Sequence, residues 1–240
     1  VAVITSIGEE HLEFFGDLEG VRKENAAIAA GLRPAGLLII NGDDPHLARH
    51  LTNYHGPMLT FGFGEHNHLV ARDVRVTIDG TSFTVDGRSF FVPISAKHFA
   101  SNALAVIAIA RHLGLDDDTI RIGLSFAAPS EMRMQKRVHG PVTLINDAYN
   151  ANPTSMRASL ETFAQLEWTG RKIVVLGDMR ELGEHSERAH DDARDLASSL
   201  AFSQVITVGN AFQRSCENAS QIECFPDSMS VAAVSYTHLR

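Results

Sequence analysis

An unusual concentration of polar side chains follows an apolar run in the middle of the sequence. The stretch 146–156 reads NDAYNANPTSM and comes directly after Val142–Ile145, a run that predicts a buried strand. An ionised carboxylate such as that of Asp147 only accepts hydrogen bonds, whereas carboxamides both donate and accept them. The group could therefore bind a polar ligand. The amides could also only build a turn, which is the interpretation that we favour for Asn146.

Two further polar clusters follow predicted strands. Residues 6–13 contain three glutamates and His11, and residues 177–183 read GDMRELG. Ligands of open α/β sheets collect beyond the carboxyl ends of strands, so both places favour a site. Taken alone, the first cluster is typical of a solvated helix start, and a hard-cation site with one imidazole is the alternative. Asp178 and Glu181 in the second cluster are typical of turn and capping chemistry.

A third candidate lies at the start of a predicted helix. In the segment AKHFASNALAVIAIA, His98 and Asn102 are four residues apart, which predicts that they share one helix face. An asparagine there could only cap the helix. Its carboxamide could also match the edge of an adenine, because it offers both a donor and an acceptor.

The apolar pattern predicts the elements that would position these clusters. Short apolar runs closed by turns predict buried parallel strands in the first half, and two Asp-Gly turns predict an antiparallel meander at 71–93. After Pro129, strands and helices alternate, which predicts a parallel sheet wrapped by helices. The predicted strands are 1–4, 37–40, 58–63, 142–145, 172–176 and 205–208, and the predicted helices lie within 8–31 and at 100–113, 116–126, 155–166 and 188–199. We therefore predict an α/β chain with two domains, 1–129 and 130–240.

The composition excludes several classes of protein. With 44% hydrophobic and 21% charged residues among 240, the chain is globular rather than disordered. A formal net charge of −8 argues against broad nucleic-acid binding. Cys216 and Cys224 are too few for a disulfide framework. No apolar run is long enough to cross a bilayer and no signal peptide is evident, so we expect a cytoplasmic protein without membrane insertion.

Both ends of the sequence look incomplete. The chain begins at Val1 inside an apolar run, so we expect that further sequence precedes it. The final VSYTHLR follows a helical pattern without a closing element, and we expect that Ser235–Arg240 is not native sequence.

Five motifs in order resemble the Mur ligase family. They are GEEHLEFFGDLEGV, NGDDP, KHFASNALA, NDAYNANPTSM and VVLGDMRELGEHSERAH, and the resemblance extends from Val1 to about Phe212. It implies a ligase that uses ATP and Mg²⁺ to phosphorylate the terminal carboxylate of a UDP-N-acetylmuramoyl-tripeptide. The amine of D-alanyl-D-alanine then attacks the acyl phosphate, in the synthesis of peptidoglycan precursors. It also implies a monomer with a central ATP-binding domain and a Rossmann-like C-terminal domain, both incomplete here.

The resemblance implies roles for individual residues as well. His11 would be a magnesium ligand and, with Arg133, part of the catalytic machinery. Arg133 would reach the nucleotide phosphates, and Asp147 would bind the ribose hydroxyls. Asn102 would contact adenine, supported by His98. Further residues would line the nucleotide and the closing cleft (Tyr149, Asn150 and Asn152) or lie on the substrate side (Asp178, Glu181 and His190).

The sequence departs from the family pattern in three places. Relatives carry a lysine, modified to a carbamate that supports a second metal, where this chain has Asn25; Lys23 is offset by two positions and points elsewhere on a helix. Phe99 stands where an asparagine commonly follows the histidine. The glycine-rich phosphate loop and the domain that binds the uridine nucleotide are absent from these 240 residues. We therefore expect no turnover from these residues alone.

Three alternatives remain open at the level of sequence. The first is another amide ligase of the same superfamily, such as a folylpolyglutamate synthase or a different Mur enzyme. The second is a non-catalytic module that binds a nucleotide. The third is a metalloenzyme that uses some of the 12 histidines, which we rank low because no HExxH spacing occurs.

Overall fold

The computed structural model describes residues 1–215 and 222–231, and these form two compact units. The first unit contains Val1–Ile7 and Asp17–Asn146. The second contains Gly8–Gly16 together with the described residues from Asp147 onwards. The chain thus leaves the first unit after Ile7, contributes nine residues to the second and returns at Asp17. Cys216 and the segment Ser235–Arg240 lie outside the described residues.

A parallel sheet forms the centre of the first unit. Its four strands pair in chain order, and Leu38, Ile39 and Ile40 in the second strand are at most 3% exposed. This burial on both faces is the reason for the continuous apolar run in the sequence. The strands are β1 (Ala2–Ile4), β2 (Leu38–Asn41), β3 (Met58–Gly62) and β4 (Leu69–Val70).

Helix α3 (Lys97–His112) packs against this sheet and the antiparallel meander. The meander strands are β5 (Arg72–Thr77), β6 (Gly80–Val85) and β7 (Arg88–Val92). Their apolar side chains, including the stacked pair Phe83 and Phe90, share one core with the buried face of α3. The helices of the first unit are α2 (Leu18–Ala26), α3 (Lys97–His112) and α4 (Asp117–Ser125), with 3₁₀ turns at Ala27–Gly31 and Leu47–Leu51.

A two-stranded hairpin ends the first unit. Strand β8 (Gln135–His139) pairs antiparallel with β9 (Val142–Asn146) around Gly140, which has φ +56°. The prediction of a strand at 142–145 is confirmed, but the prediction that it is buried is wrong, because Leu144 is 54% exposed. Strand β9 pairs with β8, not with the parallel strands that follow it in the chain.

The second unit is built on a parallel sheet of β10 (Ile173–Gly177), β11 (Gln204–Val208) and β12 (Ile222–Phe225). The buried side chains of its helices include Met156, Leu160, Ala193 and Ala197. These helices are α1 (Leu12–Phe15), α5 (Pro153–Gln165), α6 (Ser186–Ser199) and α7 (Asn210–Ser215), with a 3₁₀ turn at Gly183–His185.

The alternation of strand and helix is confirmed, as is the α/β class. Both Asp-Gly hairpins occur where the sequence predicts them, with Gly80 and Gly87 at positive φ. The domain boundary at 129/130 stays a prediction. None of the helices in the described part of the chain has the length and apolar character that a membrane span requires.

Candidate functional site

The exposed stripe of helix α3 carries the predicted adenine contact. Ala100, Ala103 and Leu104 are buried in the core, while Asn102 is exposed one turn after the half-buried His98. The ring of His98 lies 4.7 Å from that of Phe99. The two predicted side chains therefore share the face that the core leaves uncovered, as their spacing predicts.

Ion pairs of Arg111 connect the last turn of α3 to neighbouring elements. Arg111 donates from Nε and Nη2 to the carboxylate of Asp117, and from Nη1 to Asp86 at 2.8 Å. The hydrogen bonds from Arg111 hold the pKa of Asp117 below its ordinary value. This fork-shaped ion pair joins α3 to the start of α4 and to the second hairpin turn.

Arg133 lies in a tight loop before β8. Its amide donates to the carbonyl of Ser130 at 3.1 Å, and its side chain is exposed. The neighbours Met132 and Met134 have φ +57° and +48°. Two left-handed residues around one arginine are unusual for side chains with a Cβ, and such strain concentrates at functional places.

The end of β9 leads into the segment that opens the second unit. Asp147 accepts a hydrogen bond from the hydroxyl of Ser159 on α5 at 2.5 Å. Asn152 is the N-cap of α5: its Oδ1 accepts the amide of Ser155 at 2.8 Å, and its own amide donates to Oγ of Ser155. A helix cap provides a hydrogen-bond acceptor for a backbone N–H group of the first turn, so Asn152 has a structural role here. Tyr149, 60% exposed, and Asn150, also exposed, lie between them.

Asp178 lies at the end of β10 and caps α7. Its two carboxylate oxygens each accept a backbone N–H at 3.0 Å, from Ala211 and Phe212. A Cβ on Gly209, which has φ +124°, would lie 2.2 Å from the Asp178 carboxyl carbon. The close approach therefore requires a glycine at that position.

His190 is fully buried on α6 and holds the loop that follows β10. Its Nε2 accepts the amide of Met179 at 3.0 Å, and its Nδ1 lies 2.6 Å from the carbonyl of Ser186. A carbonyl only accepts, so the proton is on Nδ1 and the ring is the neutral Nδ1–H form. The 3.8 Å approach of Nε2 to Asp178 is consequently not an ion pair. Phe212 meets the ring edge-on at 4.7 Å.

Glu181 in the same loop pairs with His11. The distance from Glu181 Oε2 to His11 Nδ1 is 2.5 Å, and both side chains are 48% exposed. His11 precedes helix α1 with φ +55°, and Glu181 has φ +60°. The structure therefore brings together, within the second unit, two residues that the sequence analysis assigned to different roles.

Two protein-family models match the chain. The Mur ligase middle domain matches residues 1–110, and the Mur ligase glutamate ligase domain matches residues 132–237. The chain belongs to the Mur ligase family.

Individual Mur ligases resemble the chain over most of its length. A UDP-N-acetylmuramoyl-tripeptide–D-alanyl-D-alanine ligase of Bacillus subtilis is 38% identical over 87% of this chain and 46% of its own. The crystal structure of MurF from Acinetobacter baumannii has a TM-score of 0.89 at 29% identity, covering 99% of this chain and 53% of that one. MurF from Thermotoga maritima, solved in complex with ADP, has a TM-score of 0.85 at 24% identity, over 100% of this chain and 56% of that one. This chain therefore spans about half the length of these relatives.

The described residues do not make a magnesium site by themselves. No group of three His, Cys, Asp or Glu side chains in the described ranges could hold a metal ion. His11 offers one nitrogen, whereas Mg²⁺ is a hard cation that takes oxygen ligands. Asn25 turns its Nδ2 back to the carbonyl of Val21 at 2.9 Å, on its own helix. The Nδ2 group of Asn25 is therefore engaged within helix α2.

Ser159 is a candidate residue that sequence reasoning missed. It lies twelve positions after Asp147, on α5, and its hydroxyl donates to that carboxylate within the second unit. Nothing in the local sequence marks this serine. Thr154 is a second such residue, since its hydroxyl accepts the amide of Glu9 at 3.2 Å.

Proposed function

We propose that the chain takes part in the ATP-dependent ligation of D-alanyl-D-alanine to a UDP-N-acetylmuramoyl-tripeptide. The observation that carries this proposal is the 38% identity with the Bacillus subtilis ligase of that name over 87% of the chain. One motif that distinguishes this branch lies at the carboxyl end of β10, where parallel α/β sheets place their ligands, and the other follows β9 directly.

The chemistry has two steps. The terminal carboxylate of the tripeptide attacks the γ-phosphorus of ATP, which forms an acyl phosphate and releases ADP. The amine of D-alanyl-D-alanine then attacks the acyl carbon, and the C–O bond to phosphate breaks as the amide forms. Positioning and charge neutralisation supply most of the catalysis in phosphoryl transfer.

Several of the described side chains suit individual parts of the nucleotide. In the first unit, Asn102 presents a donor and an acceptor to adenine, and the exposed Arg133 suits phosphate oxygens. In the second unit, Asp147 suits the ribose hydroxyls, with Tyr149 and Asn150 exposed beside it. Mg²⁺ accompanies ATP in this proposal, but most of its ligands come from phosphate oxygens and water rather than from the described residues.

The test compares two variants of Asp147 and one of Ser159 in a chain that also carries the phosphate loop and the uridine-nucleotide domain. Asp147→Ala removes the acceptor for the ribose, and we expect KM for ATP to rise by roughly tenfold to a hundredfold, as for the loss of a hydrogen bond to a charged group. Asp147→Glu and Ser159→Ala are the matched controls for charge and for local packing. Unchanged ATP kinetics in Asp147→Ala, with thermal stability also unchanged, would refute the ribose role.

The acceptor assay tests the substrate. We expect ligation with D-alanyl-D-alanine and not with single amino acids such as glutamate, because the named relatives use the dipeptide. Glutamate addition would favour a folylpolyglutamate synthase or another Mur ligase. We further propose that the protein is cytoplasmic and that it is a monomer. Light scattering of the purified chain measures the oligomeric state directly.

A further inference from the structure

Residues 8–16 are held in the second unit by a small set of contacts that centres on Glu181. The carbonyl of Glu181 accepts the amide of Glu13 at 3.1 Å, while its carboxylate bonds the ring of His11. One turn further on, the ring of His185 approaches the carbonyl of Gly16 at 3.3 Å. Main chain and side chain of one residue therefore both bind this segment.

The backbone at both partners is in a conformation that side chains disfavour. His11 and Glu181 are left-handed, with φ +55° and +60°, and neither is glycine. In that region the Cβ approaches the following carbonyl, so the surroundings must stabilise the arrangement. The bond between the two side chains is the interaction that joins these two strained positions directly.

The pairing also selects one form of the imidazole. A carboxylate only accepts, so the hydrogen bond requires a proton on Nδ1 of His11. In a neutral ring the lone pair is then on Nε2, for which the described residues provide no hydrogen-bond partner. Half of the His11 side chain is exposed, so Nε2 can be reached by a ligand. Carboxylates that hold the far nitrogen of a functional histidine act in this way in many sites.

We propose that Glu181 is a positioning residue for His11. It fastens residues 8–16 to the second unit, and it holds His11 in the Nδ1–H form, which leaves the lone pair of Nε2 available. Any use of that lone pair rests on the proposed function, but the positioning itself does not require nucleotide.

The experiment measures the tautomer of His11 by long-range ¹H–¹⁵N NMR on the 240-residue chain, at a mildly alkaline pH where an ordinary imidazole is neutral. His11→Gln assigns the signal. In the unchanged chain we expect Nδ1 protonated and Nε2 unprotonated. Glu181→Ala should return the ring to a tautomer mixture, and hydrogen exchange at the Glu13 amide should accelerate by roughly tenfold.

Two variants separate positioning from a general structural effect. Glu181→Gln offers both an acceptor and a donor, so it should retain a hydrogen bond to the ring and the slow exchange at Glu13 while relaxing the choice of tautomer. Glu184→Ala removes an exposed carboxylate three positions away and should change neither signal. The inference is wrong if the unchanged chain has Nε2 protonated, or if Glu181→Ala leaves the tautomer as it was. Neither the tautomer nor the exchange rate at Glu13 involves nucleotide, so a negative result contradicts the positioning role without bearing on the proposed function, which is tested separately by the Asp147 variants.

Discussion

Replacing His190 with Phe tests whether this buried ring holds the loop after β10 through a hydrogen bond. The substitution keeps an aromatic ring beside Phe212 but removes the acceptor of the Met179 amide, which remains buried. A buried donor without a partner costs about 1–3 kcal/mol. The carbonyl of Ser186 keeps its helical partner, so the loss of the Nδ1 bond adds little. We expect the free energy of unfolding of the second unit to fall by about 2 kcal/mol.

The chain carries its own probe for this measurement. Trp168 is its one tryptophan and lies in the second unit, so fluorescence during urea unfolding reports on that unit. With a slope of about 2 kcal/mol per molar urea, a loss of 2 kcal/mol lowers the midpoint by about 1 M. The slope itself should not change, because the folded state keeps its architecture.

His190→Gln is the matched control within the second unit, and His55→Phe, in the first unit, tests whether the Trp168 signal is specific to the second unit. Glutamine can accept the Met179 amide through Oε1, so we expect His190→Gln to be more stable than His190→Phe. If packing of the ring were the main contribution, the order would be reversed, because glutamine loses the aromatic contact with Phe212. His55 is exposed, and His55→Phe should change the midpoint very little. A midpoint for His190→Phe equal to that of the unchanged chain would refute the reasoning.

Two further predictions concern a helix cap and an ion pair. Asn152→Ala should lower the free energy of unfolding, read from Trp168 fluorescence, by about 1 kcal/mol, because the amide of Ser155 loses its acceptor. Asn152→Asp should keep it, and a nucleotide affinity that falls in Asn152→Asp would point to a ligand role beyond the cap. The pKa of Asp117 is lowered by its hydrogen bonds to Arg111, so the pair stabilises the first unit above the ordinary aspartate value of 3.8 and loses this contribution as the pH falls below it. Circular dichroism melting should therefore show a steeper acid loss in the unchanged chain than in Asp117→Asn, and parallel curves would contradict this assignment.

Local features of this fold are predicted well from the sequence where a residue type or its spacing has one predominant structural role. The Asp-Gly pairs at 79–80 and 86–87 form hairpins because glycine accepts positive φ at those turns. Helix α3 occurs within a few residues of its prediction, since its apolar residues recur at helical spacing. Strand β8 was missed because Gln135–His139 has no apolar alternation and forms only through its pairing with β9.

The tertiary pairs of the candidate site could not be predicted from spacing. His11 and Glu181 are 170 positions apart, and each alone is typical of a solvated helix start or turn. The burial of His190 was likewise hidden, because a histidine on a charged helix resembles a surface residue until the loop after β10 packs over it. The spacing of residues within a helix or strand indicates which of them share a face. It does not indicate which residues far apart in the sequence come into contact, and these pairs are contacts of that kind.

Two side chains of the motif at 177–190 hold backbone groups of the loop and of α7. Asp178 caps α7 and His190 accepts the Met179 amide, so both side chains already accept hydrogen bonds from backbone N–H groups. Replacing either residue would displace Glu181. Activity would then fall even if neither Asp178 nor His190 contacts the substrate. Conservative variants separate the two explanations: a variant that keeps the hydrogen bond to the backbone should retain activity if the role is structural, and should lose it if the side chain also contacts the ligand.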